Sequence, residues 1–342
     1  MQSTAHRAAR LRTVAAVLTA AGALLFGRAT PILAQQSDLP QASAIDAVGS
    51  VAAANTVDAG DTVEEVVVRG RRLSEIEFDL RVYIRDFLEE VAAPSRNRGY
   101  ARWHRTVCIG VHNLEASAAQ YIVDRISALA LDAGLEPGEP GCEPDVNIIF
   151  SANAAETAAR MVEQEPRVFR PISGNAGMDL GLDALDRFIA SEKPVRWWHV
   201  GMPVDARTGN PAIEHHKAAC FRLHCYAEVA VAGPSRLHSG IRDELQYVII
   251  LVDGSQLTGT SWQQLSDYLA VVALAQIDPQ TDPVEYDSIL NLFSNPAAYS
   301  GLTDWDRHFV SALYSFDQER MPEIQGGDIV ARIARRELTE LD

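Results

Sequence analysis

The sequence predicts a single α/β domain with a mixed β-sheet and flanking helices, and two observations support this class. A strand-like segment at 105–113, a helical segment at 115–135 and a second strand at 145–150 follow one another. This order is typical of a βαβ unit, whose two strands are parallel. Two extended segments at 194–205 and 221–232 are typical of an antiparallel pair, so the sheet is expected to be mixed.

The elements of the first half each have a local signal. The helix at 73–92 has apolar residues at helical spacing, and the strand at 105–113 alternates apolar and polar residues. The helix at 115–135 carries one apolar stripe and has Gly134 near its end, where glycine is favoured. A further helix is expected at 154–164.

The second half adds two strands and two capped helices. Segment 221–232 alternates between a buried face and a wet face, and Tyr247–Val252 is continuously apolar, as in a central strand. Ser261 and Gln264 form a capping-box pattern that opens a helix to about Ile277. A similar pattern at 303–306 opens what is expected to be the last substantial helix, which runs towards Tyr314.

Trp197 and Trp198 are adjacent in the strand at 194–205. They could line a carbohydrate or peptide groove. Because neighbouring strand residues face opposite ways, we expect instead that one lies in the core and the other on the surface.

Residues 1–34 are predicted to be a cleaved signal peptide. Three arginines between Arg7 and Arg12 precede an apolar stretch, Val14–Phe26, and a cleavage site follows Ala34. The alternative is a membrane anchor, but thirteen residues are too few for a bilayer span of about 20. No later apolar run is long enough either, so we expect an exported protein, periplasmic or extracellular, with no transmembrane segment after cleavage.

The predicted domain boundaries follow composition. Residues 35–62 are polar, small and aperiodic and are predicted to be a flexible linker, and 63–72 form a short extended segment. The single globular domain covers 73–342. Segment 63–70 resembles the TonB box of outer-membrane receptors, which implies a partner bound by strand addition. The alternative is an edge strand or an ordered tether.

Charge narrows the class of partner. The net charge of −16 becomes −20 when the four arginines of residues 1–34 are removed with the signal. This balance argues against a nucleic-acid binder or a binder of anionic membranes. The expected partner is a protein or peptide of unknown identity.

The four cysteines are predicted to form disulfides, because the protein is expected in an oxidising compartment. Three pairings are possible, and we favour Cys108 with Cys142 and Cys220 with Cys225. The second pair closes only if Cys220 lies in a turn, because a strand rises about 3.3 Å per residue.

A metal site is the competing interpretation of the same loop. His215, His216, Cys220 and His224 have side chains that bind zinc or copper at such spacings. The alternative, a polar loop closed by a disulfide, is favoured, and no metal site is therefore predicted in this loop. No cofactor and no catalytic residue are predicted either. The sequence contains no nucleophile elbow, no dinucleotide fingerprint and no phosphate-binding loop.

The C-terminal 70 residues carry a resemblance. A strand at 247–252 leads to the helix from Ser261, then to Ser288–Phe293, then to a helix that ends in Ala312-Leu313-Tyr314. This order resembles the active-site half of metzincin-type zinc peptidases, and resembles still more an uncharacterised group of exported bacterial proteins in which the metal motif has decayed.

The resemblance implies a zincin-like fold without its metal. The first histidine position falls near Asp267, the glutamate near Tyr268, the second histidine near Val271 and the third ligand near Ile277. Valine and isoleucine cannot bind zinc, which needs three nitrogen or oxygen ligands. The alternative is an ordinary buried helix. We therefore expect a non-catalytic binding or interaction module; the alternative is a periplasmic hydrolase of unrecognised type, with a histidine and acids converging in a cleft.

Overall fold

A computed structural model describes residues 73–95, 98–171, 178–214, 228–229, 235–236 and 238–340. The predictions for the signal peptide, the linker and segment 63–72 lie outside these residues. So do His215, His216, Cys220, His224 and Cys225, and with them the predicted Cys220–Cys225 pair and metal site.

The helices and strands alternate through the first half of the domain and end in a helical C-terminal part. In chain order they are α1 (Leu73–Val91), β1 (Thr106–Val107), β2 (Ile109–His112), α2 (Ala116–Asp132), β3 (Glu136–Pro137), β4 (Val146–Ser151), α3 (Ala154–Gln164), α4 (Pro166–Phe169), α5 (Leu182–Ala190), β5 (Val195–Asp205), β6 (Ile213–Glu214), β7 (Glu228–Val229), β8 (Ile241–Asp253), α6 (Trp262–Leu274), α7 (Asp304–Ser315) and α8 (Pro322–Glu340).

The main sheet has four strands in the order β2-β4-β8-β5. The first three are parallel, with Val146 opposite Val248, and β5 runs antiparallel to β8. The predicted α/β class with a mixed sheet is therefore confirmed, as are the βαβ unit β2-α2-β4 and the central position of β8.

Helices cover both faces of this sheet. Val248, Ile250 and Val252 of β8 belong to a large core shared with α1, α2, α6, α7 and α8, whereas Ile249 and Leu251 face a smaller core under α3 and α5. Because both faces of the sheet are covered by helices, every residue of β8 from Val248 to Val252 is apolar, as expected for a strand buried on two sides.

The expectation that one of Trp197 and Trp198 lies on the surface is wrong. Each is only 1% exposed, Trp197 in the large core and Trp198 in the smaller one. Their indole nitrogens donate to the carbonyls of Ile277 and Phe169, respectively. The two rings do face opposite ways, but each meets a helical layer instead of solvent.

Two further expectations need correction. The antiparallel partner of β5 is β8, and the only described part of 221–232, Glu228–Val229, pairs with Ile213–Glu214. The helix at 304–315 is not the last, because the 19-residue α8 follows it. Gly326 and Gly327 and many charged residues obscure the apolar stripe by which α8 packs on the core.

Cys108 and Cys142 are joined by a disulfide, in agreement with the first predicted pair. It ties the junction of β1 and β2 to the loop that precedes β4. In the part of the chain that the structure describes, no helix is both long enough and apolar enough to cross a membrane.

Candidate functional site

Helix α6 carries the positions at which the resemblance would place a zinc site. Its capping box is formed, with Ser261 and Gln264 bonded to each other's backbone amides. Every residue from Leu265 to Leu274 is buried. From Leu265 to Leu274 the helix therefore lies inside the domain, whereas Trp262 in its first turn is 47% exposed.

Asp267, at the first ligand position, is bound by other groups of the protein. Its Oδ1 accepts from Nε of Arg125 on α2 at 2.9 Å, and its Oδ2 accepts from the backbone amide of Leu302 at 2.9 Å. The hydrogen bond to Asp267 raises the pKa of Arg125. Gly301 approaches so closely that a Cβ there would lie 2.6 Å from Oδ2 of Asp267. The carboxylate thus joins three segments and has no free side for an ion.

The residues at the other positions where the resemblance would place a zinc ligand or the catalytic glutamate lie in apolar surroundings. Tyr268 is buried, with its ring centroid 6.2 Å from that of Trp197 and 5.0 Å from that of Phe293, and burial raises its pKa. Val271 and Ile277 are completely buried. Within the described ranges, no three histidine, cysteine, aspartate or glutamate side chains converge as metal ligands.

One histidine does lie against α6. His199 of β5 is 4% exposed, and its Nε2 lies 2.9 Å from the carbonyl oxygen of Val272. Burial lowers its pKa to about 4, although hydrogen bonds with the backbone of Val272 and Ala275 oppose the shift. At neutral pH the ring is therefore uncharged and links β5 to the end of α6.

A second polar cluster surrounds Glu244 at the start of β8. Its Oε1 accepts from Nε of Arg242 at 2.7 Å, and Nδ1 of His104 lies 3.9 Å from the same oxygen. Partial burial and then the charge of Arg242 lower the pKa of His104, so the imidazole is neutral at pH 7. The carboxylate of Glu244 therefore already has an ion-pair partner in Arg242.

An open hollow lies beside α8, and we call it the α8 groove. It has a volume of about 410 Å³ and is lined by His238, Asp317, Arg320, Asp328, Ala331, Arg332 and Arg335. The residues of α8 in it are spaced at i, i+3, i+4 and i+7, so they share one face of the helix. The opposite wall is the segment 238–240 and the connection from α7 to α8, which are joined by a bridge between His238 and Arg320.

The charges in the α8 groove are not balanced. Arg320 pairs with both oxygens of Asp328 at 2.8 and 2.7 Å, and Nε2 of His238 lies 3.6 Å from Oδ2 of Asp317. Arg332 and Arg335 form no ion pair with any residue that the structure describes. Sequence reasoning did not find this cluster, because it depends on α8, which the sequence did not reveal as a helix.

Arg335 also lines a second, smaller hollow of about 230 Å³ between α1 and α8, together with Glu77, Arg81, Leu338 and Thr339. There Arg81 donates to Glu77 from Nε and Nη2 at 3.0 and 2.8 Å. Arg335 therefore lines both hollows, and it forms no ion pair with a residue that the structure describes.

No protein-family model matches the chain, and neither a curated protein nor a solved structure is significantly similar to it.

Proposed function

We propose that this chain is an exported, non-catalytic binding module on a zincin-like scaffold, with a protein or peptide as its partner. The observation that carries the proposal is the use of Asp267 as a structural carboxylate in a helix buried from Leu265 to Leu274. A catalytic zinc needs three ligands and an open position for water. The described residues at the carried-over positions supply one carboxylate, and Arg125 and Leu302 already occupy it.

The free energy of the ion pair between Asp267 and Arg125 also supports a structural role for Asp267. A buried carboxylate that loses its partner is destabilising by about 3–5 kcal/mol, so the pair of Asp267 with Arg125 has a structural role. The partial exposure of Arg125 reduces this figure. Leu265 and every residue from Tyr268 to Leu274 of α6 belong to the large core.

The disulfide and the N-terminal sequence support export. A disulfide such as Cys108–Cys142 persists in an oxidising compartment and is rare in the cytosol. Residues 1–34 have the charge and apolar pattern of a signal peptide. Residues 63–70 remain the proposed strand-addition segment for the partner.

The test combines metal content with hydrolysis. The protein is purified from the periplasm of bacteria that express the full chain, and zinc is measured by mass spectrometry before and after incubation with zinc. Casein and small ester substrates are then offered to the wild type, to Asp267→Asn and to His104→Gln. We expect far less than one zinc per chain and no turnover above that of buffer.

Two outcomes would refute the proposal. About one zinc per chain, lost in Asp267→Asn, would place a metal site on α6. Turnover that disappears in His104→Gln but not in Asp267→Asn would instead support the hydrolase alternative at the Glu244 cluster. The unfolding transition of each variant shows whether a loss reflects misfolding.

A further inference from the structure

The α8 groove concentrates positive charge in a protein whose net charge is −16. Behind it, Arg102 is largely buried and donates to the carbonyl oxygens of Leu313 and Phe316 without an ion pair to a described acid. Burial lowers the pKa of Arg102 to about 10, although Tyr314 and the charge of Asp317 oppose the shift. The charges of Arg242 and Arg332 make smaller contributions that also lower this pKa. The like charges of Arg332 and Arg102 therefore repel each other, and the carboxylate of Asp317 offsets part of this repulsion.

The lining of the α8 groove has an excess of positive charge, with three arginines against two carboxylates. Surface arginines far apart are solvated at little cost, but Arg332 is partly buried and lies close to Arg102 and Arg335 along one wall. Like charges at short range in a partly dry site repel more strongly than they would in water. Of the two acids in the groove, Asp328 is paired with Arg320, and Asp317 lies 3.6 Å from His238 in a contact that is ionic only when the imidazole is protonated.

We propose that the α8 groove binds a ligand that carries a phosphate or carboxylate group, held by Arg332 and Arg335 with Arg320 at the rim. The guanidinium fork matches two oxygens of either group, and charge-assisted hydrogen bonds are the strong ones. The volume of about 410 Å³ accommodates a small organic anion. The bound oxyanion would also offset the repulsion between Arg332 and Arg102. This inference concerns a ligand and a site that the proposed function does not specify, and it does not depend on the state of α6.

The test is isothermal titration calorimetry on the protein purified from cells that express the full chain. Inorganic phosphate, pyrophosphate and citrate are titrated separately at low salt, with sodium chloride at matched ionic strength as the reference. The arms distinguish the phosphate source from the carboxylate source of the same chemistry. We expect saturable binding of at least one oxyanion and none of chloride.

Three arginine variants on the same helix locate the site. Arg332→Gln and Arg335→Gln remove groove arginines, and Arg336→Gln removes an equal charge from an exposed neighbour that does not line either hollow. We expect about tenfold or greater weakening for the two groove variants and little change for Arg336→Gln. Equal weakening in all three would mean diffuse attraction and would overturn the proposal. Absence of binding below about 10 mM for every oxyanion would also overturn it.

Thermal unfolding provides a second readout that separates binding from folding. Because Arg332 has no described ion-pair partner, Arg332→Gln should keep or raise the Tm without ligand, and the rise in Tm that the oxyanion gives the wild type should be lost. A rise that persists in both groove variants would place the ligand elsewhere. Arg335 is exposed, so Arg335→Gln keeps the test decisive if Arg332→Gln does not fold.

Discussion

The stability of this protein should depend on pH through His199. The side chain is enclosed between β5 and α6, only 4% exposed, and hydrogen-bonded to the carbonyl of Val272. Protonation inside the domain would place a charge where water cannot solvate it. The unfolded chain has no such restriction, so acid should favour unfolding through this residue.

The magnitude follows from the pKa. Folding lowers the pKa of His199 from 6.5 to about 4, so the unfolded state binds the proton first. The stability that His199 contributes is complete above pH 6.5 and is lost as the pH falls from 6.5 to 4. At about 1.4 kcal/mol per pH unit, the free energy of unfolding should fall by about 2–3 kcal/mol at pH 4.5 and by about 3–4 kcal/mol well below pH 4.

Urea denaturation of the wild type and of His199→Gln, followed by circular dichroism between pH 7.5 and 4.5, measures this effect. Glutamine keeps an amide donor for Val272 but does not titrate. Burial raises the pKa of Asp243 and Asp306, which gives the opposite pH dependence, but this contribution cancels in the difference between the two proteins. We expect the wild type to lose its advantage over the variant as the pH falls. His238→Gln, at a half-exposed site, is the matched control.

Parallel pH profiles for the wild type and His199→Gln would refute the reasoning, because they would mean that the imidazole is solvated or paired when charged. A profile that flattens equally in His238→Gln would refute it as well, since the effect would then not require burial.

Three further substitutions test local structure in α6, α7 and α8 and in the segment between α6 and α7. Asp306 accepts hydrogen bonds from the side chains of Ser288 and Thr303 and from two backbone amides, so Asp306→Asn should lower the free energy of unfolding by about 2–3 kcal/mol, whereas exposed Asp304→Asn should change it by less than about 1. Equal effects in urea denaturation would contradict this role. Gly301→Ala should destabilise by about 1–3 kcal/mol, because the new Cβ would lie 2.6 Å from a carboxylate oxygen and 2.9 Å from a side-chain amide nitrogen. Gly327→Ala should instead raise the Tm, since it replaces glycine inside α8 where nothing lies within 4 Å. A shift of the same sign in both glycine variants would show that the close approach at Gly301 is unimportant.

Local chemistry predicted those parts of the fold that depend on neighbouring residues. The capping boxes at Ser261 and Thr303 satisfy helix amides within one turn, and both helices begin there. The βαβ unit was also predictable, because each of its elements has its own periodicity and the connection has one favourable geometry. The disulfide Cys108–Cys142 agrees with the position of its cysteines on either side of α2.

The wrong predictions concern features that depend on contacts between segments far apart in the sequence. Both tryptophans of β5 are buried because two helices cover the two faces of this strand. One of them, α5, precedes β5 in the chain, and the other, α6, follows it. The choice of β8 over 221–232 as the partner of β5 is likewise a tertiary preference, since both segments look extended. Helix α8 is stable because Ile329, Val330 and Ile333 reach the core. Its own sequence is mostly polar, and the groove arginines could not be grouped before the helix was known.

The contact of α1 with the C-terminal helices has a consequence for synthesis. Phe87 packs with ring centroids 5.1 Å from Trp305 and 5.4 Å from Phe309, and α1 lies along α8. At about 5–20 residues per second, roughly 10–45 s pass between the synthesis of Phe87 and that of its aromatic partners. During this interval the part of the apolar face of α1 that packs against α7 and α8 has no partner from its own chain. A stalled ribosome, or a message truncated before the codon for residue 305, would therefore release an incomplete chain. Its first helix, α1, would expose apolar side chains, and chaperones and proteases recognise such surfaces.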